Sequence, residues 1–361
     1  MSPEEGKKDF SGIAIGVVFW YNYNEEEWTV RSGGCVSYLK QSKGVSFMTK
    51  VTIIGAGSVG STIAYTLAIS GYVSEIVMID INEEKALGEA LDIRQGVPFC
   101  PPVTVYAGSY RDACDSDIVI LTSGLARKPG QTRLDLAQAN VNIIKTIIPQ
   151  ITTYAPDATY IIVSNPVDVL TYVWTKLSDI PENKIIGSGT ILDTSRLRAR
   201  ISECYNINQQ NVHAYVFGEH GDSSFVPWSI ANISNIPIDE YHSVISSSNN
   251  IYPPLNHEEV EEYMRKSGGR VIQRKGATFY AVSLSVCHIC KSLINGMDTT
   301  MTVSSMMHGE YGIEDVCLST LNVIGRQGIT GKLHPKLTEE ETALLHKSAN
   351  CLKDIIRNIE I

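Results

Sequence analysis

The segment Gly218-Glu219-His220-Gly221-Asp222 places a histidine among glycines and acids, a setting suited to proton transfer rather than to a core. An imidazole titrates near neutrality, so His220 could give a proton to a developing oxyanion, and Gly221 leaves room for reactants beside it. Upstream, Asp193 is followed three residues later by Arg196, so a helix would put both on one face. The planar guanidinium of Arg196 fits a carboxylate in a bidentate fashion that a lysine could not reproduce. Gly55-Ala56-Gly57-Ser58-Val59-Gly60 has the spacing of a pyrophosphate turn, and Asp80 follows Gly60 by twenty residues. A proton donor, a carboxylate beside it, arginines for an anion and a dinucleotide turn are the parts required to deliver a hydride to carbon and a proton to oxygen of a 2-keto acid.

These side chains need elements to carry them. Lys50–Ile54 is a β-branched run entering the glycine turn, residues 58–69 continue as a helix of small and apolar residues, and 76–79 form an apolar strand ending at Asp80. Strand, tight turn, helix, strand and acid in this order support Gly55, Gly57 and Gly60 at the pyrophosphate. Asp80 would accept from the adenine-side ribose, and its charge would repel a 2′-phosphate, favouring NAD over NADP. Residues 117–123 and 160–164 are nearly continuous apolar runs, as parallel strands covered on both faces should be. Beyond Gly189 the alternation of strand and helix is lost: 193–205 and 263–294 predict helices, 212–217 a strand and 301–324 antiparallel strands. Thr338-Glu339-Glu340-Glu341 reads as a capping box opening a final amphipathic helix. The expected fold is α/β, a Rossmann-type doubly wound parallel sheet followed by a mixed α+β domain. The expected division is an extension over 1–47, an NAD-binding domain over 48–190 and a substrate domain over 191–361, with the site at their seam.

Taken with Arg127-Lys128-Pro129-Gly130-Gln131-Thr132-Arg133, Asn165-Pro166-Val167-Asp168 and Leu192-Asp193-Thr194-Ser195-Arg196, the order and spacing of these motifs resembles the L-lactate and malate dehydrogenase family from Met48 to the C-terminus. The body is most similar to bacterial L-lactate dehydrogenase. The resemblance implies an NAD-dependent 2-hydroxy acid dehydrogenase with His220 as proton donor and Asp193 orienting its ring. Considered alone, Asp193 could equally cap the helix that follows it, and Arg196 could pair with it on a surface. The resemblance further implies that Arg133 swings in on loop closure to polarise the carbonyl, that Arg196 holds the substrate carboxylate, and that Asn165 touches substrate and nicotinamide.

Arg127 departs from the lactate pattern, which has glutamine there, and matches the malate pattern. A second substrate carboxylate beneath a closed loop needs a cation, whereas the methyl of pyruvate would leave it unpaired. Oxaloacetate is therefore the expected substrate, with pyruvate and lactate as the alternative, to which Thr278 in the same pocket belongs. Arg198 and His213 match residues that bind fructose 1,6-bisphosphate between subunits of bacterial lactate dehydrogenases, and a homo-oligomer, dimer or tetramer, is implied. An NAD-dependent glycosidase would need a metal-binding Cys and His after the relevant strands, and a silent NAD sensor would not need the set His220, Asp193 and Arg196.

The bulk properties agree. A chain of 361 residues with net charge -9 and no long basic run is not built for nucleic acid or an anionic membrane, which need clustered Lys and Arg. Eight scattered cysteines suggest a reduced, cytoplasmic enzyme without a disulfide framework. Cys287-His288-Ile289-Cys290 has no partner motif and lies in an apolar run, so it is expected to be core helix, and no metal site is expected. Residues 1–47 match nothing in the family; the apolar run 13–20 is too short to span a bilayer and lacks the flanks of a secretory signal.

Overall fold

Short apolar strands covered on both faces organise the molecule. The computed structural model describes the backbone of residues 17–22, 27–32 and 35–38, and all of 49–361 except 127–129, 131 and 246–250. Met1–Phe47 and Met48–Ile361 are separate units. In the first, β1 (Val17–Asn22), β2 (Glu27–Ser32) and β3 (Cys35–Tyr38) pair antiparallel in that order. Part of the apolar run 13–20 enters β1, and the rest lies outside the described residues.

The second unit opens with β4 (Lys50–Ile54), α1 (Ser58–Ser70), β5 (Glu75–Ile79), α2 (Glu83–Gly96) and β6 (Thr104–Ala107). It continues with β7 (Ile118–Leu121), α3 (Arg133–Tyr154), β8 (Thr159–Ile162), α4 (Val167–Leu177) and β9 (Ile185–Gly187). Every residue of β7 and β8 is buried, which explains their unbroken apolar character. The six strands are parallel in the order β9-β8-β7-β4-β5-β6, so the winding reverses between β4 and β7. In such sheets the crevice beyond the carboxyl ends of the strands at the reversal is where ligands bind.

After α5 (Ile191–Tyr205), β10 (Val212–His213), β11 (Asn232–Ile233) and β12 (Ile236–Pro237) form a small antiparallel sheet. Then come α6 (Ile238–Val244), α7 (His257–Lys275), α8 (Tyr280–Asn295), β13 (Thr299–His308), β14 (Glu314–Gly325), β15 (Gly328–Leu333) and α9 (Glu339–Arg357). β13 joins β9 antiparallel at Ser304 and Gly187, so the parallel and antiparallel parts share one nine-stranded sheet.

The helices expected over 263–294 are α7 and α8, divided where Gly276 adopts φ +86° and ends α7. Two details differ from the sequence expectation. The strand expected over 212–217 stops at His213; beyond it Phe217 pairs with Phe225 and Gly218, at φ +93°, with Ser319 of β14. β15 was not foreseen, since its glycines give it little apolar pattern. The capping box is formed as expected: Thr338 Oγ1 accepts from Glu341 N at 3.1 Å and Glu341 Oε2 from Thr338 N at 2.9 Å. Cys287 and Cys290 are buried on α8, and burial pushes both thiols up. No helix among the described residues is long and apolar enough to cross a membrane.

Candidate active site

At the reversal of the sheet, the glycine turn leaves β4 with Gly55 at φ +108°, where a Cβ would come within 2.6 Å of Ser123 N on the exit from β7. A Cβ on Gly60 would stand 1.9 Å from Gly55 O, so α1 can approach the strand only without one. Nothing lies within 4 Å of the corresponding position at Gly57, the N-cap of α1, which has no side-chain cap. The N-terminus of this thirteen-residue helix thus has no side-chain cap and open space beside its N-cap residue, which suits an anion site. Asp80, ending β5, accepts from Ala56 N at 2.6 Å and from Asn82 N at 2.9 Å. A carboxylate has about four lone-pair sites, so ribose hydroxyls could still be accepted there. These residues fit a dinucleotide: a bare helix N-terminus for the pyrophosphate and an acid fixed beside it.

Beyond β8 and β9 lies a cleft of about 170 Å³ whose lining includes Val59, Asn165, Arg196, His220, Thr278 and Ser285. Asn165 is positioned by Asn140 of α3, whose Nδ2 donates to Asn165 O at 2.6 Å and whose Oδ1 accepts from Leu125 N at 2.7 Å. Asn140 was missed in the sequence because its role depends on the docking of α3 against two strand ends.

Asp193 is the third residue of α5, behind an N-cap at Thr190, so the alternative of Asp193 as helix cap is corrected. Its Oδ2 meets His220 Nδ1 at 2.6 Å and its Oδ1 accepts from Arg196 Nη1 at 2.9 Å. The Asp193–Arg196 pair is largely buried, not a surface pair. Facing a carboxylate, Nδ1 carries the proton of the neutral ring, which leaves Nε2 for exchange with a ligand. The His220 side chain keeps 27% of its exposure, enough to be reached from the cleft. The Asp193 charge raises the imidazole to about 9, against burial, which lowers it. Burial pushes Asp193 up, but His220 and Arg196 outweigh it and hold the carboxyl below its ordinary range.

Arg133, expected in a loop, is the first residue of α3 behind a Thr132–Asp135 capping box, a signal present in the sequence. Its half-exposed side chain pairs with Asp222 and stands 3.7 Å from Glu219, so the histidine segment itself supplies two carboxylates for it. Glu219 and Asp222 had been read only as flanks of His220. Arg127 lies outside the described residues. Arg198 and His213 do not line the cleft: Arg198 Nε donates to Ala214 O at 3.0 Å and its guanidinium lies 5.0 Å from the Tyr215 ring centre, while His213 is exposed on β10. Among the described residues, no three His, Cys, Asp or Glu side chains gather as metal ligands would.

Residues 49–187 match the family model of the lactate/malate dehydrogenase NAD binding domain, and 190–360 that of the lactate/malate dehydrogenase alpha/beta C-terminal domain. An L-lactate dehydrogenase of Acetivibrio thermocellus is 46% identical over 312 residues, 86% of this chain and 98% of that protein. One of Clostridium botulinum is 46% identical over 310 residues, 86% of this chain and 96% of that protein. Among solved structures, a minor L-lactate dehydrogenase from Enterococcus mundtii in a ligand-bound form is similar with TM-score 0.82 and 35% identity over 87% of this chain and 99% of the other. A lactate dehydrogenase from a Medee basin deep-sea metagenome library gives TM-score 0.81 and 36% identity over 86% and 98%.

Proposed function

The chain belongs to the lactate/malate dehydrogenase family and is an NAD-dependent 2-hydroxy acid oxidoreductase, and on that premise we propose that it interconverts pyruvate and L-lactate. The observation that carries the proposal is the joining of His220, Asp193 and Arg196 in one cleft with Asn165 and Thr278. Bound NADH supplies the hydride that reduces the keto carbon. Arg196 takes the carboxylate next to the keto group in a bidentate pair and so fixes which face of that carbon is presented. His220, protonated, donates from Nε2 to the carbonyl oxygen as that oxygen gains charge, and Asp193 keeps the ring aligned and the imidazolium favourable. Asn165 donates to the same region, and Arg133, released from Asp222, adds positive charge at the carbonyl.

Two observations support pyruvate over oxaloacetate. Among the described residues lining the cleft, Arg196 is the one guanidinium, which serves one carboxylate. The relatives that match nearly end to end carry the name L-lactate dehydrogenase. The oxaloacetate preference drawn from Arg127 rests on one side chain outside the described residues, and it is the second reading.

Asp80 supports NAD through both its charge and its grip on Ala56 N. Asp80→Ser should weaken NADH binding and narrow the preference over NADPH, because it removes the ribose acceptor and the repulsion of a 2′-phosphate together. Parallel fluorescence titrations with the two cofactors measure this, and an unchanged ratio would take Asp80 away from the ribose.

A further inference from the structure

Asp168 has no part in the chemistry above, yet it is a carboxylate with only 2% of its surface exposed, in the first turn of α4 and three residues after Asn165. Its Oδ2 accepts from His220 N at 2.8 Å. The neighbouring amide, Glu219 N, donates to Ser348 Oγ of α9 at 2.7 Å, so two consecutive amides of the histidine segment are held by buried side chains of two different helices. Oδ1 of Asp168 has no hydrogen-bond partner, although the Ser304 hydroxyl of β13 is close enough to favour the charge. An asparagine could accept the bond from His220 N without the cost of a buried, incompletely satisfied charge. The carboxylate therefore calls for a reason beyond fastening the loop.

We propose that Asp168 is a positioning residue that acts through His220: it fixes the backbone that carries the imidazole, and its negative charge, added to that of Asp193, favours the protonated ring. The proposal rests on the assignment of His220 as proton donor. The groups facing Asp168 are His220 and Glu219 from the histidine segment, Ser304 from β13 and Cys317 from β14, while Asp193 and Arg196 of α5 act on the same imidazole. Burial pushes Asp168 up to about 6, Glu219 adds to the rise, and His220 opposes it. Above that pH the carboxylate is charged and supports the imidazolium; below it the support fades. Because α4 begins just after Asn165, the helix start that follows this cleft residue also carries the carboxylate that holds His220 N, and Asn165 and His220 line the same cleft.

The charge and the hydrogen bond can be separated. Asp168→Asn keeps an acceptor for His220 N and removes the charge; Asp168→Ala removes both. The full-length wild type and both variants are compared for pyruvate reduction at saturating NADH across the pH range, for NADH affinity, for thermal unfolding midpoint, and for the His220 titration followed by NMR of the imidazole. Asp168→Asn should keep kcat within about threefold while the His220 titration and the alkaline limit of pyruvate reduction move to lower pH by about half a unit or more. Asp168→Ala should lose kcat by on the order of tenfold to a hundredfold per folded molecule, with NADH affinity unchanged, because the imidazole is displaced rather than the cofactor. If His220 titrates in Asp168→Asn as it does in wild type, the proposal is overturned, whether or not Asp168→Ala folds. Should wild type reduce no 2-keto acid, the assigned function fails, while the NMR titration still decides the link between Asp168 and His220.

Discussion

His220→Ala should lose turnover by on the order of a hundredfold to ten-thousandfold while binding NADH as wild type does. The range is the ordinary contribution of a placed general acid, and the proposed cofactor site is built from other elements: Gly55, Gly57 and Gly60 in the turn from β4 into α1, and Asp80 beyond the end of β5. The imidazole lifted to about 9 sets the pH sign. Pyruvate reduction needs the protonated ring, so in wild type the rate falls as pH rises through about 9, whereas lactate oxidation needs the neutral ring and gains over the same interval. His220→Ala should lose both limbs. Stopped assays in the two directions, with NADH fluorescence as the control for binding, measure this, and a variant with full turnover would remove His220 from the mechanism.

The second large effect belongs to Arg196. Arg196→Gln should cut kcat/KM for every 2-keto acid by roughly thirtyfold to several-thousandfold, the equivalent of about 2 to 5 kcal/mol for truncating one partner of a desolvated charge pair. Arg196→Lys should recover only part of this, because an ammonium restores the charge but not the two-point geometry that orients the carbonyl. There is also an indirect cost, since Arg196 helps keep Asp193 ionised beneath His220. A loss that fell on oxaloacetate and spared pyruvate would move Arg196 from the shared carboxylate to the far end of the substrate.

The cofactor half was legible because its signal is local. A β-branched strand, glycines at fixed spacing and an acid at the next strand end occupy about thirty residues of a βαβ unit, and each has its own steric or electrostatic reason. His220, Asp193 and Arg196 were legible as types, but the 2.6 Å contact across 27 residues of sequence is a product of tertiary packing. For the same reason Asp193 could be taken for a helix cap: α5 begins at Ile191, earlier than the polar pattern suggests, because Leu192, Asp193 and Thr194 are all buried. Asn140 and Asp168 escaped because a buried polar residue has meaning only when its partner is known. Arg133 was misplaced in a loop although Thr132 and Asp135 carried the cap pattern, and the glycine-rich β15 had too little periodicity to be read. The expectation of oxaloacetate rests on one cation, Arg127, which lies outside the described residues.

The most direct test is the kcat/KM of the purified wild type for pyruvate and for oxaloacetate, with NADH, at one pH and one temperature. The account predicts NADH oxidation with both the cofactor and the keto acid required, and a preference for pyruvate of about tenfold or more, within the range that a single pocket contact can set. A preference for oxaloacetate that Arg127→Gln reverses would contradict it and install Arg127 as the selector of a second carboxylate.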